Sequence, residues 1–355
     1  MKVALLCGPC PAGGCGVGDY SRCLGNALNS IGIESHVIAA GDWRLQSVPE
    51  RFRSIGTLNP DLVHIQYPTV GFARHLGPQA LSILKRCVAT IHEVSQAHVL
   101  RKVSLYPFSF RARHVIFPSN FERQFAVKWA PWISDRSSVI AVPSNIAAGA
   151  KRQRNAGEIV HFGLIMPGKG LEEVIKLARL IQVSGHALRI RIIGTVRSEH
   201  AGYFEALRSE SLRLPIVWEN GLDKEQVEDR LAASAVAYLP YPDGVSERRA
   251  TLKAALINGT AVITTRGAQT PSDLQGSVCL VETAEEALAA ALDLLASAEG
   301  RDRLTSKGME YAGRYSWERI AEQHSAVYDE ILVGQGRREV FPVENTNPRA
   351  SSSSL

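Results

Sequence analysis

Three stretches of this chain place glycine and charged residues where phosphate chemistry is commonly done. Gly13-Gly14-Cys15-Gly16-Val17-Gly18 follows an apolar run and opens a helical pattern. Glycines there let the backbone turn sharply and bring N–H groups toward a phosphate at a helix N-terminus. The Gly14-x-Gly16-x-Gly18 spacing departs from GxGxxG, and no acidic residue closes the second strand near position 40. A dinucleotide fingerprint is therefore weak, and a tight structural turn is the plain alternative. The second stretch, Phe162-Gly163-Leu164-Ile165-Met166-Pro167-Gly168-Lys169-Gly170-Leu171, sets Lys169 between glycines at a helix start, suited to a diphosphate. It lacks the Ser/Thr that a P-loop uses for magnesium. The third runs from Tyr241 to Ile263 and carries Asp243, Gly244, Ser246, Glu247, Arg248, Arg249 and Thr251 into the start of another helix. Arg forks suit phosphate, and the carboxylates suit sugar hydroxyls or a developing cation; capping and a solvated face are the bland reading.

Other candidates are less specific. His92 closes an apolar run, where a hydrogen-bonded turn residue competes with a ligand-binding one; His64, inside a strand, reads as structural. Cys7, Cys10, Cys15 and Cys23 crowd the start, with no second CxxC at zinc-finger distance, so buried thiols are favoured over a metal site. Phe108–Arg113 and Lys128–Trp132 interleave bases with aromatics. That pattern fits core aromatics, or contact with nucleic acid, acidic lipid or a lipid-linked acceptor.

The elements that must position these residues alternate strictly. Apolar runs at 3–7, 35–39, 61–66, 87–92, 114–117 and 138–141 are separated by helical patterns and read as parallel strands covered on both faces. Residues 145–157 break the rhythm as a linker, and the pattern restarts at Ile159. Two α/β halves leave a cleft at the carboxyl ends of their strands, where such folds bind ligands. Residues 1–150 carry 15 Lys/Arg against 8 Asp/Glu and residues 151–355 carry 25 against 27. The basic first half points to an anionic ligand or surface, or to diffuse surface charge. With 355 residues, 45% hydrophobic and 21% charged, the chain excludes collagen, a disordered polymer and a disulfide-stapled mini-protein. No apolar stretch reaches 18 residues, and the start reads as a buried strand rather than a signal peptide, so a cytoplasmic protein is expected.

At these residues the chain resembles the retaining, nucleotide-sugar-dependent glycosyltransferases of the GT-B fold, of the bacterial group 1 type. The resemblance covers about residues 1–333. It rests on the glycine loop, Pro60–Gln66, Thr90-Ile91-His92-Glu93, the Phe162–Gly170 stretch, the Asp243–Ile263 block and a final Tyr315-Ser316-Trp317 helix. It implies two Rossmann-like doubly wound α/β domains facing a cleft: 1–148 on the acceptor side, 149–316 binding the nucleotide sugar, a helix over 317–333 returning to the first domain, and a disordered tail over 334–355. It implies His92, Lys169 and Glu247 as catalytic residues. Donor contacts would come from Gly14, Gly16, Gly163, Lys169, Asp243, Gly244, Ser246, Arg248, Arg249 and Thr251.

The resemblance implies no metal and no tightly bound cofactor, with the nucleotide sugar as co-substrate. A glycan or lipid-linked acceptor, peripheral contact with the acidic inner face of the cell membrane, and no nucleic acid complete it. The chain departs from the pattern at Leu164, where the family has Arg, and at Ser246 and Ala254, where it has paired Glu. Asp243 or Glu247 is then the substitute for the first Glu, and Arg248 or Arg249 for the Arg; the second Glu has none. A GT-B phosphorylase or epimerase, or a nucleotide-sugar-binding protein without catalysis, are the alternatives.

Overall fold

The apolar runs become two separate parallel sheets in the computed structural model, which describes residues 1–10, 15–85, 87–150 and 152–336. The first half runs β1 (Lys2–Leu6), α1 (Gly16–Ser30), β2 (Glu34–Ile38), α2 (Val48–Thr57), β3 (Leu62–Tyr67) and α3 (Gly77–Leu84). It continues with β4 (Val88–Ile91), α4 (Val99–Ser104), α5 (Tyr106–Arg111), β5 (His114–Phe117), α6 (Asn120–Trp129) and β6 (Ser137–Val139). The second half runs β7 (Asn155–Ile165), α7 (Leu171–Val183), β8 (Arg189–Val196), α8 (Ala201–Glu210), β9 (Ile216–Asn220) and α9 (Lys224–Ala233). It ends with β10 (Ser234–Leu239), α10 (Ala250–Ile257), β11 (Ala261–Thr265), β12 (Cys279–Val281), α11 (Ala284–Ala296), α12 (Ala298–Gly313) and α13 (Trp317–Gly336).

The strand orders are β2-β1-β3-β4-β5-β6 and β12-β11-β10-β7-β8-β9. Alternate residues of a strand face opposite layers, and each layer has its own core. In β1, Ala4 and Leu6 pack with Val63, Ile65 and Phe117, while Val3 and Leu5 pack with Leu24 and Leu28 of α1. The expected class, two doubly wound α/β units facing a cleft, is what the chain forms.

Helix α13 leaves the second half and packs on the first. Its Ile320, Ala321 and Tyr328 are buried with Val3, Leu5 and Leu24. His64 Nδ1 pairs with the Tyr328 hydroxyl at 2.6 Å and its Nε2 with Thr90 Oγ1 at 2.7 Å. Trp317 Nε1 donates to the Ser144 carbonyl at 2.9 Å, tying the helix start to the linker between the sheets.

Several boundaries differ from expectation. β7 begins at Asn155, inside the stretch read as linker. Its first four residues carry no apolar side chain larger than that of Ala156 and pair with β10 through a register shift between Ser234 and Val236, so periodicity could not report them. The last helix runs past Gly334 to Gly336, and the rest of the tail lies outside the described residues. Residues 266–316, unassigned from the sequence, form β12, α11 and α12. Among the described residues no helix is long and apolar enough to cross a membrane.

Candidate active site

The carboxyl ends of both sheets open on one cleft of about 880 Å³. Its walls come from the loops after the strands and the helices those loops lead into: Gly16, Tyr20, His92 and Glu93 on one side, and Lys169, Arg197, Arg248 and Ala250 on the other. This is where doubly wound sheets bind ligands. Gly16 and Ala250 are the first residues of α1 and α10, and the N-caps of both helices, Cys15 and Arg249, make no side-chain cap hydrogen bond. Two helix starts whose N-cap side chains leave them uncapped therefore meet the same cleft, each favouring an anion.

Lys169 stands in a turn that its neighbours dictate. Gly168 and Gly170 have φ of 77° and 80°, and a Cβ on Gly170 would lie 2.1 Å from the Pro240 carbonyl oxygen. Lys169 makes no ion pair among the described residues, and burial, then the nearby Arg249, lowers its pKa. A partly desolvated ammonium that no carboxylate contacts closely among the described residues is poised for an anionic ligand.

His92 follows β4 and is fixed from behind. Its Nε2 pairs with Gln66 Oε1 at 2.9 Å, and the Gln66 amide lies 3.2 Å from His64 Nε2. With Nε2–H donating to the Gln66 oxygen, Nδ1 is left as an acceptor. Burial and the neighbouring His324 push the His92 pKa down to about 3, so the ring is neutral. Its ring meets Tyr20 edge-on, with centroids 5.0 Å apart.

The loop before α10 is engaged by the protein more than the sequence suggested. Arg248 Nη1 pairs with Glu122 Oε1 at 3.0 Å, across the cleft. Arg249 pairs with Asp243 and lies over the Tyr241 ring, 4.5 Å from its centroid. Asp243 also accepts from Gln96 of the first half at 3.4 Å. Gly244 has φ of 81°, and a Cβ there would sit 2.3 Å from the Gly267 Cα. Thr251 Oγ1 is 2.9 Å from the Tyr241 hydroxyl, and the buried Ser246 Oγ has no partner among the described residues.

The expected set is thus partly assembled. His92, Lys169, Gly16 and Arg248 line the cleft. Glu247 does not: the Asn120 N–H at the start of α6 bonds to it, and burial raises its pKa. Gly163 sits within β7, away from the lining, and Gly14 lies outside the described residues. Ala254, where the family has its second Glu, is fully buried among apolar side chains. The four N-terminal cysteines are free, Cys7, Cys10 and Cys15 buried and Cys23 half-buried, and among the described residues no His, Cys, Asp or Glu cluster could hold a metal.

The sequence reading missed Arg197 and Glu122. Arg197 follows β8 directly, and its buried Nε has no partner among the described residues. On the adjacent strand β7, Leu164 pairs in register with Thr195. Arg197, two residues past Thr195, thus stands at the cleft one strand over from Leu164. Glu122 is fully buried on α6 and also accepts from the Val94 and Ser95 N–H groups at 2.8 and 2.9 Å. The position after a strand's carboxyl end would have flagged Arg197; nothing in the sequence flags Glu122.

No protein-family model and no curated protein matches the chain. Solved structures do. A glycosyltransferase from Rickettsia africae superimposes with a TM-score of 0.72 at 14% identity, over 94% of this chain and 99% of that one. A sucrose-phosphate synthase from Thermosynechococcus elongatus gives 0.69 at 16% identity, over 94% and 100%. The Anabaena protein HepE, solved with UDP and glucose, gives 0.68 at 12% identity, over 93% and 100%. The chain has the GT-B fold of these proteins.

Proposed function

We propose that this protein is a glycosyltransferase that moves a sugar from a nucleotide-sugar donor to an acceptor hydroxyl with retention at the anomeric carbon. The observation that carries this reading is the unpaired Lys169 ammonium in a cleft flanked by two uncapped helix starts. The donor diphosphate rests against Lys169, Arg197 and the α10 N–H groups, which stabilise it as it leaves. Neutral His92 accepts a hydrogen bond at Nδ1 from a donor-sugar hydroxyl. The bond from the anomeric carbon to the diphosphate oxygen breaks, with its electrons going to that oxygen. The acceptor oxygen bonds to the same face, and its proton passes to the departing diphosphate.

In this reading residues 1–148 hold the acceptor, residues 149–316 hold the donor, and the helix over 317–333 returns to the first unit. A cytoplasmic site of action belongs to the same proposal. HepE was solved with UDP and glucose, which makes UDP the first nucleotide to test. Thermal shifts with UDP, GDP, ADP and dTDP identify the base, because a ligand of the folded state raises stability. Release of free nucleoside diphosphate only when an acceptor is supplied supports transfer; no stabilisation by any of the four removes the reading.

A second reading, donor binding without catalysis, is favoured by one observation. Asp243, Arg248 and Arg249 all have protein partners, and Glu247 is half-buried against the Asn120 N–H. Tight diphosphate binding with no turnover on any acceptor would select it.

A further inference from the structure

A second cavity of about 970 Å³ opens beside the cleft, lined wholly by the first half. Ala73, Arg74, Glu93 and Arg101 line both, so one groove runs from the cleft outward over α3 and α4. The character of the walls changes along it. Beyond the junction the groove is faced by Leu45, Leu76, Ile83, Leu100 and Val103, which are between 46% and 74% exposed. Apolar side chains collected in a concavity mark a binding site rather than ordinary surface. At the junction, the exposed Arg74 and Arg101 make no ion pair among the described residues, and Glu93 is the only acid among the described residues lining either cavity.

We propose that this groove receives the acceptor and that the acceptor is an anionic amphiphile, a single-chain lipid phosphate. Its aliphatic part lies along the apolar walls, its phosphate meets Arg74 and Arg101, and its hydroxyl-bearing end enters the cleft. The inference rests on the transferase reading and names its substrate class. A neutral soluble glycan would leave both guanidinium groups without a partner and the apolar walls wet. The occupant is a single chain rather than a bilayer surface, because the apolar residues line a concavity continuous with the cleft.

Titration calorimetry of the full chain with alkyl phosphates below their micelle concentration tests this. Affinity should rise about threefold per methylene from butyl to octyl phosphate, close to the burial value for a CH₂ group. Octyl glucoside should bind at least tenfold more weakly than octyl phosphate. Ile83→Gln and Leu100→Gln change exposed side chains; they should flatten the chain-length dependence and leave the melting temperature unchanged. Arg74→Gln and Arg101→Gln should abolish the preference for phosphate over glucoside.

UDP is titrated in the same samples. UDP binding without octyl phosphate binding overturns the groove and leaves the transferase reading standing. Octyl phosphate binding without any nucleoside diphosphate overturns the transferase reading instead. Binding to vesicles of anionic phospholipid, with none to monomeric octyl phosphate, makes the face a membrane-docking surface and also overturns the proposal.

Discussion

Arg248 Nη1 lies 3.0 Å from Glu122 Oε1, an ion pair that joins the loop before α10 to the first turn of α6 across the cleft. Glu122 is fully buried and also holds the Ser95 hydroxyl at 2.6 Å, three residues from His92. One carboxylate thus fixes a loop of the first half and an arginine of the second. Arg248→Ala should lower stability by about 3 kcal/mol, the low end for stripping one partner from a buried pair. Chemical denaturation measures this, and the affinity for nucleoside diphosphate should change less than about twofold, below the value of a charged hydrogen bond.

Lys169→Ala should do the opposite. Transfer (kcat/KM) should fall by about 100-fold or more, because a charge-assisted contact to a leaving group is lost in a cleft. The melting temperature should hold or rise, since the ammonium removed is partly buried, beside Arg249, and in no close ion pair among the described residues. Steady-state kinetics beside a melting curve checks both.

Arg197→Ala should weaken diphosphate binding by roughly 1.5–3 kcal/mol, the range for hydrogen bonds to charged groups. Leu164→Arg, made in that background, should restore much of the loss from the neighbouring strand. Calorimetric titration of UDP into the single and double variants decides whether the two positions exchange roles.

The pH dependence of His92 has a definite sign. Its folded pKa is about 3 against 6.5 unperturbed, so only the unfolded chain takes up this proton between those values. Its contribution to stability therefore falls as pH drops from 6.5 toward 3. The ring should give no ionisation in the kcat/KM profile between about pH 5 and 8, near which a free imidazole titrates. Gln66→Leu should lower kcat by up to about 100-fold, the scale for misplacing a positioned group, with unchanged UDP affinity. A new ionisation near neutrality in the wild-type profile would contradict the neutral, Gln66-fixed ring.

Lys253 carries the same sign at higher pH. It is buried, donates to the Val142 and Glu247 carbonyls, and lies 4.0 Å from the Tyr315 ring centroid. Burial pushes its pKa from 10.5 down to about 7. Between those values the unfolded state binds more protons, so stability should rise with pH relative to Lys253→Met. Urea melts of both proteins from pH 6 to about 10 measure the difference, whose slope is set by the linked proton.

Much of the architecture was legible because parallel strands covered on both faces are near-continuous apolar runs, as in Val3–Cys7 and Ala261–Thr265. Lys169 was legible for a related reason: glycines at 168 and 170 are where the backbone needs positive φ. The site's electrostatics were not. Glu122 sits in an unremarkable helical pattern and gains its role only when α6 meets Arg248 from 126 positions later. Arg197 was overlooked because β8 continues to Val196, beyond the apolar run that ends at Ile193. Asp243 and Arg249 looked like ligand groups, yet adjacency in the loop lets them satisfy each other.

The hydrogen bond between His64 and Tyr328 spans 264 positions of the chain. A ribosome delivers β3 long before it delivers α13, so the first sheet emerges with one face incomplete. Val3, Leu5, Leu24 and Leu28 wait for Ile320, Ala321 and Tyr328 while the entire second sheet is being made. The second half, whose cores are built from residues between Ile146 and Tyr315, can close on its own. The unit made first is therefore finished last, and the nascent chain exposes an apolar face to its surroundings for most of its synthesis.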